Sequence, residues 1–296
     1  MGQTIVRFCP VTAVRRENGE WVLSTPVGEI RCEYVVNAAG YRAAELGRMF
    51  GRDVPCVSLA HQYLITEAIP ELTARDEKLP LLRDPDSSYY LRQEKDGLLL
   101  GPYEKNCRAH WIDNSDPMPE DFSFQLYNDD LERLEWYIED ACARVPLLGT
   151  GGITRVVNGP IPYTPDGLPL IGQMPGVPNA FEACVFTFGI VQAGGAGKLL
   201  SEIIVEGEAE TDSWAVDPRR FTDHVDQPYT TAKAIETYSH EYAMHFPQIQ
   251  WPAGRKAKVS PLYERLEAAG AEFGSYGGWE RADWFPNTAA DRHPAD

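Results

Sequence analysis

The residues best suited to chemistry fall between Pro165 and Gly207, where TPDGLPLIG is followed by the apolar run Ala180 to Phe188 and then by GIVQAGGAGKLLSEIIVEG. A strand that passes through a glycine hinge into a helix directs unpaired backbone N–H groups, and the positive end of the helix dipole, at whatever lies above it. Such a turn suits an anionic ligand or the electron-rich edge of a heterocycle. The complementary nucleotide fingerprint, G-x-G-x-x-G between a strand and a helix, is missing from the 296 residues, so the chain reads as part of a larger enzyme.

Two further side chains carry possible chemistry. His61 sits among aliphatic neighbours on an alternating strand, where an imidazole is either a hydrogen-bonded core residue or a pocket residue. The pair Tyr89 and Tyr90 is equally open, because aromatic residues favour strands for packing alone. Two other motifs fail on spacing. AGGAGKLL lacks the first glycine of a phosphate loop, with Gln192 in its place, and has Leu199 where a magnesium-binding hydroxyl belongs. In HEYAMH the two imidazoles, His240 and His245, are five residues apart, which on a helix splays them instead of stacking them for zinc. No metal site is expected, and the acids between Asp129 and Val145 read as a solvated helix face.

The elements that must position these residues follow from periodicity. Residues 4 to 36 read as a three-stranded meander with turns at Asn18-Gly19 and Pro26-Val27-Gly28, the third strand running on to Val35, Val36 and Asn37. Ala38, Ala39 and Gly40 then admit close approach, either by a packed helix or by a ligand. From Pro55 long alternating strands place Val57, Leu59, His61, Tyr63 and Ile65 on one face, and SSYYLRQEKDGLLLGPYE turns near Lys95-Asp96-Gly97, which suggests an antiparallel sheet with one covered face. A packing helix is expected between Asp129 and Val145, further helices over 230–247 and 260–269, and a tail without apolar pattern at 287–296.

Composition narrows the function. With 44 acidic against 27 basic residues and a net charge of -17, the chain is unsuited to nucleic acid or anionic lipid. No apolar run reaches the length of a membrane helix and no signal-peptide pattern opens the sequence, which points to a cytoplasmic protein, or a mitochondrial-matrix one in a eukaryote. The six cysteines are scattered and read as free thiols.

RCEYVVNAAGYRAAELGRMFG, LAHQYLITEAIPEL, LLRDPDSSYYLRQEKDGLLLGPYE and SPLYERLEAAGAEFGSYGGWERADWF closely resemble, in order and spacing, the sarcosine and dimethylglycine dehydrogenase branch of the D-amino-acid-oxidase-like flavoenzymes. The resemblance covers the chain as far as Phe285. It implies an α+β fold: a partial FAD-dependent oxidoreductase domain over 1–222, with its cofactor part at 1–54 and 151–222 and its antiparallel substrate sheet at 55–150, then a small middle domain over 223–286. The chain would begin after the family's βαβ unit and stop before its folate domain. By the same resemblance Val11, Ala38, Ala39, Gly40, Gly189, Ile190, Val191, Gln192 and Ala193 would contact FAD, while His61 and Tyr89 would line the substrate pocket and serve catalysis. The implied reaction is oxidative N-demethylation of an N-methylated amino acid by hydride transfer to flavin. Implied partners are an electron-transfer flavoprotein and, in the complete enzyme, tetrahydrofolate. The alternative is a non-catalytic fragment or accessory subunit that docks with a separate flavin-binding chain.

Overall fold

The computed structural model describes residues 2–113, 115–246 and 249–292. In chain order the elements are β1 (Ala13–Glu17), β2 (Glu20–Thr25), β3 (Gly28–Cys32), β4 (Val35–Asn37), α1 (Ala43–Met49), β5 (Val57–Thr66) and α2 (Pro70–Thr73). Then come β6 (Leu82–Asp84), β7 (Tyr89–Glu94), β8 (Gly97–Pro102), β9 (Ala109–His110), α3 (Glu135–Arg144), β10 (Ile153–Tyr163), β11 (Leu170–Gln173) and β12 (Ala180–Cys184). The last are α4 (Gly189–Glu206), α5 (Gln227–Ser239), α6 (Tyr263–Ala268), β13 (Glu272–Tyr276) and β14 (Trp279–Trp284). The mixture of helices with mainly antiparallel sheets is the expected α+β class. The chain divides into two compact units, each built from two separate stretches: 1–56 with 168–222, and 57–167 with 223–296.

The first unit holds two three-stranded sheets, β1-β2-β3 and β11-β12-β4. Asn18 (φ 50°) and Gly19 (φ 90°) both take the left-handed conformation that a tight hairpin demands, which registers Glu17 against Glu20. The expected third strand is in fact two. β3 ends at Cys32, and after a break β4 joins the other sheet, running parallel to β12 with Val35 opposite Ala180 and Asn37 opposite Glu182. Sequence alternation could not show the break, because β3 is mostly exposed and has no buried face to mark its end. Residues 4–12 are likewise not a strand. Helix α4 buries Ala196 and Leu200, with Leu199, Ile203 and Ile204 alongside, against Ile171 and Phe181. That i, i+3, i+4, i+7, i+8 stripe belongs to its C-terminal half only, and Gly207 (φ 87°) ends the helix in the left-handed conformation.

The second unit is organised by a six-stranded sheet in the order β10-β5-β8-β7-β6, with β9 also on β5. β5 and β10 pair from Val57 opposite Tyr163 to Thr66 opposite Ile153. This ladder carries residues 151–167 into the second compact unit, which residues 223–296 also join. Nor is only one face of the sheet covered. Leu64, Tyr89, Leu91, Leu98 and Leu100 pack with Leu134, Ala141 and Leu148 around α3 on one side. Val57, Leu59, Tyr103 and Tyr163 pack with Ala234 and Tyr238 of α5 on the other. Helix α5 begins where the Asp226 carboxylate accepts from the Tyr229 N–H at 2.8 Å and ends at Ser239, short of the expected 247, a position outside the described residues. The Gly- and Trp-rich segment is a hairpin, β13-β14, turned at Gly277 and Gly278. In the tail Thr288 caps a single turn at Ala289–Asp291, and 293–296 lie outside the described residues. The six cysteines are free. Among the described residues no helix is long and apolar enough to cross a membrane.

Gly101 of β8 tests the sheet's close packing, because a Cβ there would run into the ring of Tyr90. Gly101→Ala is expected to lower the unfolding free energy by about 1–3 kcal/mol in denaturant titration. An unchanged midpoint would show that Tyr90 moves aside freely.

Candidate functional site

In the first unit, α4 starts without a side-chain cap: Phe188 precedes it and offers only its carbonyl, which accepts from the Gln192 N–H at 3.1 Å. The amides of Gly189, Ile190 and Val191 therefore precede the first intrahelical bond. The turn is open. Ile190 is 96 % exposed and Val191 82 %, and a Cβ added at Gly194, Gly195 or Gly197 would meet nothing within 4 Å. Gln192 turns its Oε1 into a buried position with no hydrogen-bond partner. Ala38, Ala39 and Gly40 leave the C-terminal end of β4, and Gly189 to Ala193 follow β12, its parallel neighbour, so the topology brings both stretches to the carboxyl end of adjacent strands, where open α/β sheets hold ligands. The Asn37 amide shapes the first stretch by donating to the Ala43 carbonyl at 2.9 Å and accepting from the Ala39 N–H at 3.2 Å, and Gly40 supplies φ 57°. Val11 lies half-buried in the segment before β1, next to Thr12, whose N–H donates to the Ser24 carbonyl of the other sheet.

Glu182 of β12 is fully buried in the same unit, with Arg52 Nε 3.6 Å away. Burial pushes its carboxyl up to about 7, against the opposing pull of Arg52. Lys198, the residue that lent the segment its phosphate-loop look, pairs instead with Glu202 at 2.8 Å and Glu210 at 3.3 Å.

In the second unit His61 is half-buried on β5 and its ring lies 4.7 Å from that of Tyr103 and 5.7 Å from that of Tyr238. Its Nδ1 is 2.9 Å from the Tyr238 hydroxyl. That hydroxyl donates to Glu104 Oε2 at 2.7 Å, and Arg133 Nη2 stands 3.0 Å from Glu104 Oε1. Burial, helped by the Arg133 charge, depresses the imidazole to about 4, so it is neutral at physiological pH. The tyrosine wall continues through Tyr242, 5.1 Å from Tyr103, and Tyr90, 6.1 Å from Tyr242. Tyr163 donates to Glu241 at 2.8 Å.

Tyr89 is not on this wall. It packs, fully buried, with Leu64, Leu91 and Leu100 on the opposite face of the sheet, where burial first and then the Asp84 charge push its hydroxyl up to about 12. Adjacent strand residues face opposite ways, and the register with Pro102 and Gly101 sends Tyr90, not Tyr89, to the side of His61. His240 and His245 both lie against Trp251, with ring centroids at 4.2 Å and 5.0 Å, and His240 Nδ1 bonds the Glu236 carbonyl. Sequence reasoning missed Tyr103, Glu104, Arg133, Tyr238 and Tyr242. The only signal for the last two was the i, i+4 recurrence of Ala234, Tyr238 and Tyr242 in a helix taken as generic.

Residues 1–203 match the FAD dependent oxidoreductase family, and residues 206–260 match the FAD dependent oxidoreductase central domain. The chain belongs to this family of FAD-dependent oxidoreductases. It is 42 % identical to the mitochondrial dimethylglycine dehydrogenase of Rattus norvegicus over 95 % of this chain and 33 % of that protein. It is 36 % identical to the mitochondrial sarcosine dehydrogenase of Mus musculus over 96 % of this chain and 31 % of that protein. The chain thus spans about a third of the length of the curated relatives it matches. Among solved structures, L-proline dehydrogenase from P. horikoshii superposes with a TM-score of 0.56 at 24 % identity, covering 72 % of this chain and 54 % of that one, which shows the shared fold. FAD is the family's cofactor, and the uncapped first turn of α4, its unencumbered glycines and the unpartnered Gln192 Oε1 fit such a group.

Glu182 and His61 predict opposite pH effects on stability. Glu182, raised to about 7 in the folded state, contributes stability that is full below pH 4.5 and lost as pH climbs through 7, on the order of 3 kcal/mol. His61, lowered to about 4 from 6.5, contributes stability that is present above pH 6.5 and lost as pH falls toward 4. Chemical denaturation from pH 4 to 8 is expected to show Glu182→Gln gaining on the parent as pH rises. A pH-independent difference between the two would contradict the raised carboxyl.

Proposed function

We propose that this chain forms part of an FAD-dependent dehydrogenase that oxidises a small N-methylated amino acid of the sarcosine or dimethylglycine type. FAD, when bound, takes up the hydride from the N-methyl carbon. The observation that carries the reading is the neutral His61 held in a wall of tyrosines. A protonated amine has no lone pair with which to expel hydride, so the site must favour the neutral amine and hold it in one orientation. His61, neutral and hydrogen-bonded to Tyr238, accepts a hydrogen bond from the N–H of the arriving ammonium. With a pKa of about 4 it does not store the ammonium proton; it orients the nitrogen, and the proton leaves to bulk water before hydride transfer, leaving the lone pair on nitrogen. The rings of Tyr90 and Tyr103 suit a methylated ammonium on arrival, because electron-rich rings attract such cations, whereas Tyr242 already carries the Arg83 guanidinium 4.7 Å from its ring centroid. Tyr90 takes the pocket role first expected of Tyr89.

In the first unit the amides of Gly189, Ile190 and Val191 offer fixed partial positive charge to FAD, with Gln192, Ala193 and the Ala38–Gly40 stretch beside them and Val11 toward the adenine end. Tetrahydrofolate and an electron-transfer flavoprotein are the partners of this reading, as acceptors of the one-carbon unit and of the electrons. The 42 % identity to a dimethylglycine dehydrogenase supports it. The accessory-subunit reading shares the exposed Ile190–Val191 turn, which a separate flavin-binding chain could cover.

The tests use the chain joined behind a βαβ unit that carries G-x-G-x-x-G. With dimethylglycine and sarcosine under anaerobic conditions, flavin bleaching is expected in the parent protein and to slow roughly 100-fold in His61→Ala. An unchanged rate and pH profile would remove His61 from the reaction. Ile190→Glu places a carboxylate where the helix itself tolerates it, so thermal stability should hold or rise slightly while FAD affinity falls by roughly tenfold. Undiminished affinity in a fluorescence titration would move the cofactor away from α4, and a protein that colours only with a second chain would favour the accessory subunit.

A further inference from the structure

We infer that Tyr238 and Glu104 are positioning residues that fix His61 as its Nδ1–H tautomer, leaving Nε2 as the nitrogen that meets the substrate. The assignment rests on the functional reading above only for what Nε2 does; the tautomer itself follows from the hydrogen-bond inventory. The Tyr238 hydroxyl has one proton, and it is directed at Glu104 Oε2 at 2.7 Å. Its oxygen can then only accept from His61 Nδ1, 2.9 Å away, so that nitrogen must carry the ring proton.

The direction of the chain depends on Glu104 being a carboxylate. Were it a carboxylic acid, it could donate to Tyr238, Tyr238 to Nδ1, and the ring proton would move to Nε2. Burial of Glu104, 2 % exposed, holds its carboxyl above the usual carboxylate range, while the Arg133 charge 3.0 Å away and the hydrogen bond accepted from Tyr238 pull toward the carboxylate. Charged groups around the relay include Glu104 after β8, Arg133 in the turn Leu131–Leu134, Asp130, 3.4 Å from Arg133 Nε, and Arg108, 3.3 Å from Asp130 Oδ2. Gln62, next to His61 on β5, holds that turn by donating to the Asp130 carbonyl at 2.7 Å and accepting from the Asp130 N–H at 3.3 Å. Tyr238 is itself fixed by ring packing on Tyr103 at 4.8 Å and Tyr163 at 5.6 Å. The relay therefore sets a nitrogen's chemistry from groups that need not touch substrate.

Long-range ¹H–¹⁵N correlation spectra of the imidazoles decide the matter on the chain as it stands, at pH 7 and without cofactor. The expected result for His61 is one neutral tautomer, with pyrrole-type Nδ1 and pyridine-type Nε2. In Tyr238→Phe, which keeps the ring packing, the two nitrogens should move toward an average, and in Glu104→Gln, whose amide can donate to Tyr238, toward the Nε2–H form, while the remaining spectrum stays folded. An Nε2–H tautomer in the parent protein, or an unaltered tautomer in both variants, would overturn the assignment. A fixed Nδ1–H together with flavin bleaching indifferent to His61→Ala would instead overturn the functional reading and leave the tautomer standing.

Discussion

Strand β5 is covered on both faces, and that constraint organises the second unit. A strand has only two sides, so consecutive residues must answer to different cores. His61 turns toward α5 and the tyrosines, while Gln62 and Leu64 turn toward α3. Each assignment has a polar consequence. Gln62 is fully buried and meets its hydrogen-bonding needs on Asp130, which fixes the turn that carries Arg133, and Arg133 reaches Glu104. Two neighbours on one strand thus control the imidazole, one by being it and the other by holding the cation that charges its relay.

The two units treat polar groups in opposite ways. Beside half-buried His61 the tyrosine hydroxyls of Tyr103, Tyr163 and Tyr238 are all driven upward by burial, so they serve as neutral donors and acceptors and not as acids. Neutral groups in fixed orientation suit a step in which charge must leave a nitrogen. At the start of α4 the logic is reversed: backbone dipoles are bare and the flanking side chains are small or outward-facing. Fixed partial charges there need no titration to act.

Much of the fold was legible because local chemistry and tertiary structure agree. Asn18-Gly19 and the turn at Lys95-Asp96 each require one geometry, and each adopts it. What failed did so for identifiable reasons. The division between β3 and β4 follows from sheet partners that are distant in sequence, with Ala180 opposite Val35. The choice between Tyr89 and Tyr90 depends on a one-residue register that no periodicity reveals when both faces are apolar. Glu104, Arg133 and Tyr238 are separated by up to 134 residues, and nothing in their local sequence marks them as one network.

The interleaved order of the two units sets limits on how this chain can be divided. The backbone passes between them at 56–57, 167–168 and 222–223, so neither unit is one continuous length of polypeptide. Deletion after Thr222 would not simply remove a terminal appendage. It would take away α5, uncover Tyr103 and Tyr163, and strip His61 of its hydroxyl partner. Evolution therefore cannot shuffle the C-terminal quarter, residues 223–296, elsewhere without dismantling the imidazole's surroundings.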